Sequence, residues 1–142
     1  MPEFILGKGF VGGQADAVPA TFVRATATAT ITSGQPVQLD GEGKCKPAAS
    51  AVGFLGIASG TAEKREWVAG ESVRIMTIGS LFITTAATAT AGAKVGFTTA
   101  GAWADSITST YKHQLDGSQV VEGVTGAGLA KVRLNGVQTT TL

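Results

Sequence analysis

The chain has 142 residues, of which 44% are hydrophobic and only 15% charged, and its formal net charge is +1. It is too apolar for a disordered polymer, too poor in Leu, Glu and Lys for a helical bundle, and lacks the basic footprint that nucleic-acid binding demands. A single cysteine, Cys45, excludes an intrachain disulfide, the apolar run Phe4–Leu6 is too short for a signal peptide, and no stretch approaches a membrane span, so the expectation is one soluble domain made in a cytoplasm.

Residues 1–18 read as a flexible arm. Gly7, Gly9, Gly12 and Gly13 are set among Phe4, Ile5, Leu6, Phe10 and Val11, with Pro2 and Pro19 bracketing the segment. Ordering such a backbone costs about 1–2 kcal/mol per residue, whereas each large apolar side chain returns roughly 1.5–3 kcal/mol on burial. The five apolar side chains therefore predict an arm that orders against a partner, as a strand added to an exposed edge. Strict alternation from Thr21 to Thr32 predicts a half-exposed strand, with Val23, Ala25, Ala27, Ala29 and Ile31 inward and Arg24 among the outward residues. Val37 and Leu39 share one strand face, and Asp40-Gly41-Glu42-Gly43 reverses the chain. Gly53–Ala58 reads as a buried strand. Thr61–Gly70 reads as a polar loop holding a helical turn, anchored by Trp67. Ser72–Ile78 and Leu81–Thr85 read as a hairpin about Gly79-Ser80. Further strands are expected at Lys94–Thr98, Ile107–Tyr111, Gln119–Thr125 and Leu129–Leu134, with a hairpin turn at Asp116-Gly117 and either an edge strand or a loose tail at Val137–Leu142. No segment carries a sustained 3.6-residue period.

The two halves of the chain resemble each other. Gly34, Val37, Leu39 and Gly43 recur 58 positions later (92 minus 34) as Gly92, Val95, Phe97 and Gly101. Gly56-Ile57-Ala58 is answered by Gly123-Val124-Thr125 at 67, which implies nine extra residues in the second half, and Val73-Arg74-Ile75 by Val132-Arg133-Leu134 at 59. The expected fold is all-β: a compact barrel- or sandwich-like domain over residues 19–142, built from an internal duplication (repeats about 30–85 and 88–136) that closes about a pseudo-two-fold.

Chemical motifs are sparse. Gly7-Lys8-Gly9-Phe10-Val11-Gly12 has the letters of a dinucleotide-binding loop, but Pro19 follows too soon for the helix such a loop requires. His113, the only histidine, falls in the inserted hairpin and is expected to be solvated there, which argues against a Ser-His-Asp relay with Asp116. Cys45 lies between Lys44 and Lys46, cations that would lower its pKa, yet a small buried or half-buried thiol fits better. Asp40 and Glu42 lack the further ligands of a calcium loop. Arg74 and Arg133, matched by the repeat, read either as exposed strand charges or as an interface ion pair made twice. Neither an enzymatic centre nor a metal or cofactor site is expected.

With these residues laid out, the chain resembles the small capsid decoration (cement) proteins of tailed bacteriophages. The resemblance rests on Thr32-Ser33-Gly34-Gln35-Pro36-Val37, Leu55-Gly56-Ile57-Ala58, Ala69-Gly70-Glu71-Ser72-Val73-Arg74-Ile75 and Ala130-Lys131-Val132-Arg133-Leu134, in that order, and covers roughly residues 20–136. Proteins of this kind look like the head-decoration protein of phage lambda. The resemblance implies a homotrimer on the outer surface of the phage head, at three-fold and quasi-three-fold positions, clamping the major capsid protein and stabilising the expanded shell. With the arm meeting the shell, Phe4, Ile5, Leu6, Phe10 and Val11 are the expected capsid-binding residues; Arg24, Arg74 and Arg133 are the candidate interface residues, and neither nucleic acid nor membrane is expected as a partner. The other function class in view is a β-rich binding module that displays the inserted hairpin to a glycan or host surface.

Overall fold

The computed structural model describes residues 4–5, 9–14, 20–105 and 111–141, and the expected strand at Ile107–Tyr111 lies outside them except for Tyr111. Among the described residues there are fifteen strands and no helix. They are β1 (Phe4–Ile5), β2 (Gly9–Phe10), β3 (Thr21–Ala27), β4 (Ile31–Thr32), β5 (Pro36–Leu39), β6 (Lys44–Pro47), β7 (Phe54–Ala58), β8 (Glu66–Trp67), β9 (Ser72–Thr85), β10 (Gly96–Phe97), β11 (Trp103–Ala104), β12 (His113–Leu115), β13 (Ser118–Glu122), β14 (Gly128–Asn135) and β15 (Thr139–Thr141).

The architecture hangs on β9, a 14-residue strand. Its first half closes a five-stranded barrel: β9 pairs with β3, β3 with β6, β6 with β5, β5 with β7, and β7 returns to β9 at Met76 and Ile75. Its second half belongs to another hydrogen-bonded circuit. Here β9 pairs with β14 and β14 with β13. Val120 of β13 then exchanges bonds with Gly92 and Ala93 (Gly92 N–H to Val120 C=O, 2.8 Å; Val120 N–H to Ala93 C=O, 2.7 Å). The chain runs on from there into β10, which pairs with β11, and β11 meets β9 in parallel at Thr85.

The expected hairpin at Gly79-Ser80 is not there, because the chain runs straight through it. Gly79 has a positive φ of 136°, but it serves close approach rather than reversal. A Cβ there would sit 2.8 Å from the Cβ of Ala20, where the chain enters β3. The β-branched and apolar residues on either side keep pairing with β14 without a break.

The two circuits repeat some bonds at the 58-residue spacing. Thr28 N–H to Cys45 C=O (2.9 Å) is matched by Ala86 N–H to Trp103 C=O (3.0 Å), and Gln35 N–H to Thr32 C=O (3.1 Å) by Ala93 N–H to Thr90 C=O (3.0 Å). The wider spacings expected from sequence do not hold. Ala58 exchanges bonds with Gly34 and Gln35 as Val120 does with Gly92 and Ala93, so Val120 takes the place of Ala58 at a spacing of 62 (120 minus 58). Gly123 lies beyond it. Likewise Ser72 pairs with Thr26 and Leu129 with Thr84, a spacing of 57 (129 minus 72), so the register counterpart of Arg74 is Lys131 and not Arg133.

Two apolar clusters result. The smaller fills the barrel with Ala27, Ile31, Val37, Cys45, Ala58, Trp67, Val73 and Ile75. Trp67 pins the loop between β7 and β9 as expected, although the loop holds the short strand β8, paired with β4, instead of a helical turn. The larger cluster joins Phe54, Ile57 and Met76 from the outside of the barrel to Leu81, Ile83, Val95, Phe97, Trp103, Leu115 and Leu134. Phe97 is its centre, stacked on Phe54 at 5.6 Å, edge-on to Trp103 at 5.4 Å and tilted against His113 at 5.2 Å. Trp103 donates its indole N–H to Gly34 C=O (2.9 Å), so its polar atom is satisfied inside the core and ties the second circuit to the first.

The inward face of Thr21–Thr32 also departs from expectation. β3 ends at Ala27, Ala29 is exposed, and Val23 is 40% exposed, while Ala25, Ala27 and Ile31 do face the barrel core. Asp116-Gly117 is a turn but not a hairpin, since β12 pairs with β10 and β15 while β13 pairs with β14. The turn is tied down by Asn135 N–H to Gly117 C=O and Asp116 N–H to Gln138 C=O, both 2.9 Å, so it is not a free display loop. Thr139–Thr141 forms the terminal edge strand on β12.

Candidate functional site

Two features outside the core invite a functional reading, and the first is the N-terminal segment. β1 and β2 pair antiparallel, Phe4 opposite Phe10 and Ile5 opposite Gly9, while Leu6 lies outside the described residues. Beyond them the chain docks on the domain, although the sequence reading leaves residues 11–14 in the arm. Gly12 N–H donates to Phe82 C=O (2.6 Å), Phe82 N–H to Gly13 C=O (3.3 Å), and Gln14 bridges Leu81. These contacts cover the edge of β9 between β3, which stops at Ile78, and β11, which arrives at Thr85. Ser59 Oγ donates to Gly12 C=O at 2.6 Å. Only glycine suits this position, because φ is +77° and a Cβ would lie 2.0 Å from Ser33 Oγ. Val11 is half-buried, its side chain lying over Gly34.

The second feature is a cleft of about 210 Å³ between β3, β9 and the loop after β7, lined by Arg24, Ser59, Thr61, Lys64, Ser72 and Arg74 among others. Arg24 and Arg74 are directly opposed across β3 and β9, a like-charge pair that is unfavourable in isolation. Arg74 is held in place by three contacts: Nε–H to Ser59 C=O (2.9 Å), Nη2–H to Gly60 C=O (3.0 Å), and its guanidinium over the Phe22 ring at 4.3 Å. Burial, and secondarily the charge of Arg24, hold its pKa below the usual arginine value. Lys64 is neutralised at the rim by Glu71 (2.8 Å), whose carboxyl is held below its ordinary range by that hydrogen bond and by the Val68 N–H.

Arg133 does not join this cleft. It is exposed on β14 opposite Ser80, six residues along β9 from Arg74, or roughly 20 Å at strand rise. In its circuit the places of Arg24 and Arg74 are taken by Phe82 and Lys131, the latter 3.6 Å from Glu122. The like-charge opposition of Arg24 and Arg74 therefore has no counterpart in the second circuit. A feature the sequence reading passed over is an apolar loop tip, with Val52 81% and Leu39 45% exposed and Leu39 N–H donating to Gly53 C=O (2.8 Å).

Neither His113 nor Cys45 belongs to a site. Contrary to the expectation of a solvated residue, His113 is buried, its Nδ1 3.0 Å from Thr141 Oγ1, while Asp116 turns away to Thr140 and Gln114. Burial, then the nearby Lys112 charge, push its pKa below 6.5. The unfolded chain therefore takes up the proton first, and the stability contributed by neutral His113 is fully present above about pH 6.5 and lost as pH falls from there through the lower pKa of the folded state. Thermal melts across this range should show the slope in the native protein and lose much of it in His113→Gln. Cys45 is fully buried and its pKa is raised, by burial first and Asp40 second, so the flanking lysines do not activate it. Iodoacetamide should leave it unmodified in the folded protein and alkylate it after denaturation, as read by intact mass.

No curated protein matches the chain. Among solved structures, it is similar to a chain described as "The capsid of Myoviridae Phage XM1", with a TM-score of 0.70 at 17% identity, covering 95% of this chain and 97% of that one. It also overlaps a chain described as "The crystal structure of head fiber gp8.5 N base in bacteriophage phi29", with a TM-score of 0.49 at 10% identity, covering 87% and 98%. The family described as "Structural cement protein (E217 gp24/Pam3 gp6)" matches residues 3–135, which takes in the N-terminal segment, both circuits of strands and the arginine cleft. The chain belongs to this phage structural cement protein family.

Proposed function

We propose that this protein is seated on the outside of a phage head, at three-fold and quasi-three-fold positions, where it binds the major capsid protein and stabilises the expanded shell in a structural and non-enzymatic role. The observation that carries this reading is the family match across residues 3–135. In this reading residues 19–142 are a β domain of two related halves and residues 1–18 are the segment that reaches the shell, with Phe4, Ile5, Leu6, Phe10 and Val11 as its apolar contacts. Arg24, Arg74 and Arg133 serve at interfaces, and the working form is a homotrimer, whose contacts must be head-to-tail to close.

The test is binding of purified protein to expanded, cement-free particles of the parent phage, followed by imaging of the decorated shell. Saturable binding with density at three-fold positions is expected, together with a higher temperature of particle disruption. Protein that ignores expanded particles would sink the proposal. Light scattering that finds monomers both free and on particles would remove the trimer.

A further inference from the structure

The arginine cleft is unbalanced in charge. Arg24 and Arg74 face each other across two paired strands, and no carboxylate lines the cavity between them and the Ser59–Lys64 loop. Glu71, next to Ser72 of the lining, is engaged by Lys64 at the rim. Arg24 is exposed and has no hydrogen-bond or ion-pair partner among the described residues. Arg74 is fixed by two backbone carbonyls through Nε and Nη2, which leaves the Nη1 donors of its planar fork for a ligand. A fixed guanidinium beside an exposed, unengaged one, with the hydroxyls of Thr61 and Ser72 in the lining, is an arrangement suited to a carboxylate.

Charge complementarity therefore requires an acid from outside. Several carboxylates of this chain are already held, Asp40 by Thr28 and Lys46, Asp105 by the Thr90 N–H, Asp116 by Thr140 and Gln114, and Glu122 by Lys131, whereas Glu42, Glu63 and Glu66 are exposed. The surface that the function proposed above sets against this chain is the shell protein, which makes it the donor, and coupling to a second copy is the outcome that decides against it. We propose that the Arg24–Arg74 cleft receives an aspartate or glutamate side chain of the shell protein on which this chain is seated, an inference that rests on the capsid-docking function proposed above. The docked carboxylate relieves the repulsion between the two arginines and fixes the rotational setting of the domain on the shell.

The experiment measures binding to expanded, cement-free particles for the native protein, Arg24→Gln, Arg24→Glu and Arg24→Lys, each at low and high salt. Arg24 is exposed and opposes Arg74, so Arg24→Lys should melt as the native protein does and Arg24→Gln and Arg24→Glu no lower. Arg24→Glu is expected to bind at least about ten-fold more weakly at low salt and to lose most of the native salt dependence, with Arg24→Gln in between. Carbodiimide treatment of decorated particles should couple the amine introduced by Arg24→Lys to an Asp or Glu peptide of the shell protein. The inference is overturned if Arg24→Gln and Arg24→Glu saturate particles at the native concentration with the native salt dependence. It is also overturned if that amine couples only to another copy of this chain, or to no shell carboxylate. In those cases the native protein still binds and the docking function stands. If the native protein itself does not bind, both readings fall together.

Discussion

Replacing Phe97 with alanine should destabilise the protein by about 3–5 kcal/mol, the range for removing a buried aromatic side chain from a packed core. Phe97 is fully buried and meets Phe54, Trp103 and His113, side chains that arrive from both circuits of strands and from β12. The hole left behind would be walled by elements hydrogen-bonded on several sides, so little collapse can fill it. A domain of this size has on the order of 5–15 kcal/mol in hand, and the loss is a large share of that. Urea unfolding should show the midpoint fall with the slope unchanged. Val52→Ser, at the exposed loop tip, should change stability by no more than about 0.5 kcal/mol in either direction. A Phe97→Ala protein that loses less than about 1 kcal/mol would mean that the two circuits do not share a core.

Removing residues 2–10 should leave the melting temperature nearly unchanged and weaken binding to expanded particles at least about ten-fold. The cut has to stop there. A deletion running through residue 14 strips Gly12 and Gly13 from Phe82, leaves Ser59 Oγ without its acceptor, and opens the covered edge of β9. Buried groups left without partners cost about 1–3 kcal/mol each, so the longer truncation should melt several degrees lower, and any binding it loses would no longer report on the arm alone. If the 2–10 truncation saturates particles with unchanged affinity, the shell contact lies elsewhere on the domain. If it melts markedly lower, β1 and β2 belong to the fold.

What the sequence made legible was local. Thr/Ala alternation over Thr21–Ala27 announced a strand, the Asp40–Gly43 cluster announced a turn, and Trp67 in a polar loop announced an anchor. Pairing across the chain was not legible in the same way. Gly79-Ser80 has the letters of a reversal, and only the approach of Ala20 explains the glycine. His113 reads as solvated because it falls in the inserted segment beside the Asp116-Gly117 turn, whereas the covering ring and the strand Thr139–Thr141 come from elsewhere in the chain. The repeated Val-Arg-Ile and Val-Arg-Leu triplets mislead by two positions. Such a slip keeps every residue on its own side of the sheet, so the apolar pattern cannot detect it, and the partner strand sets the true register. The arginine cleft shared that difficulty, since Arg24 and Arg74 become neighbours only once β3 is laid against β9.

Because β9 is the common wall of both circuits, with β3, the Gly12–Gln14 segment and β11 along one edge and β7 and β14 along the other, neither half has a seam at which it can part from its twin. Its amides can trade hydrogen with solvent only when the whole molecule opens, so the slowest-exchanging protons of the chain should run as one block along Val73–Ile83 and report the global free energy. If the protein is seated on a strained shell as proposed, a load applied at one end of the molecule would be carried straight through this strand to the other.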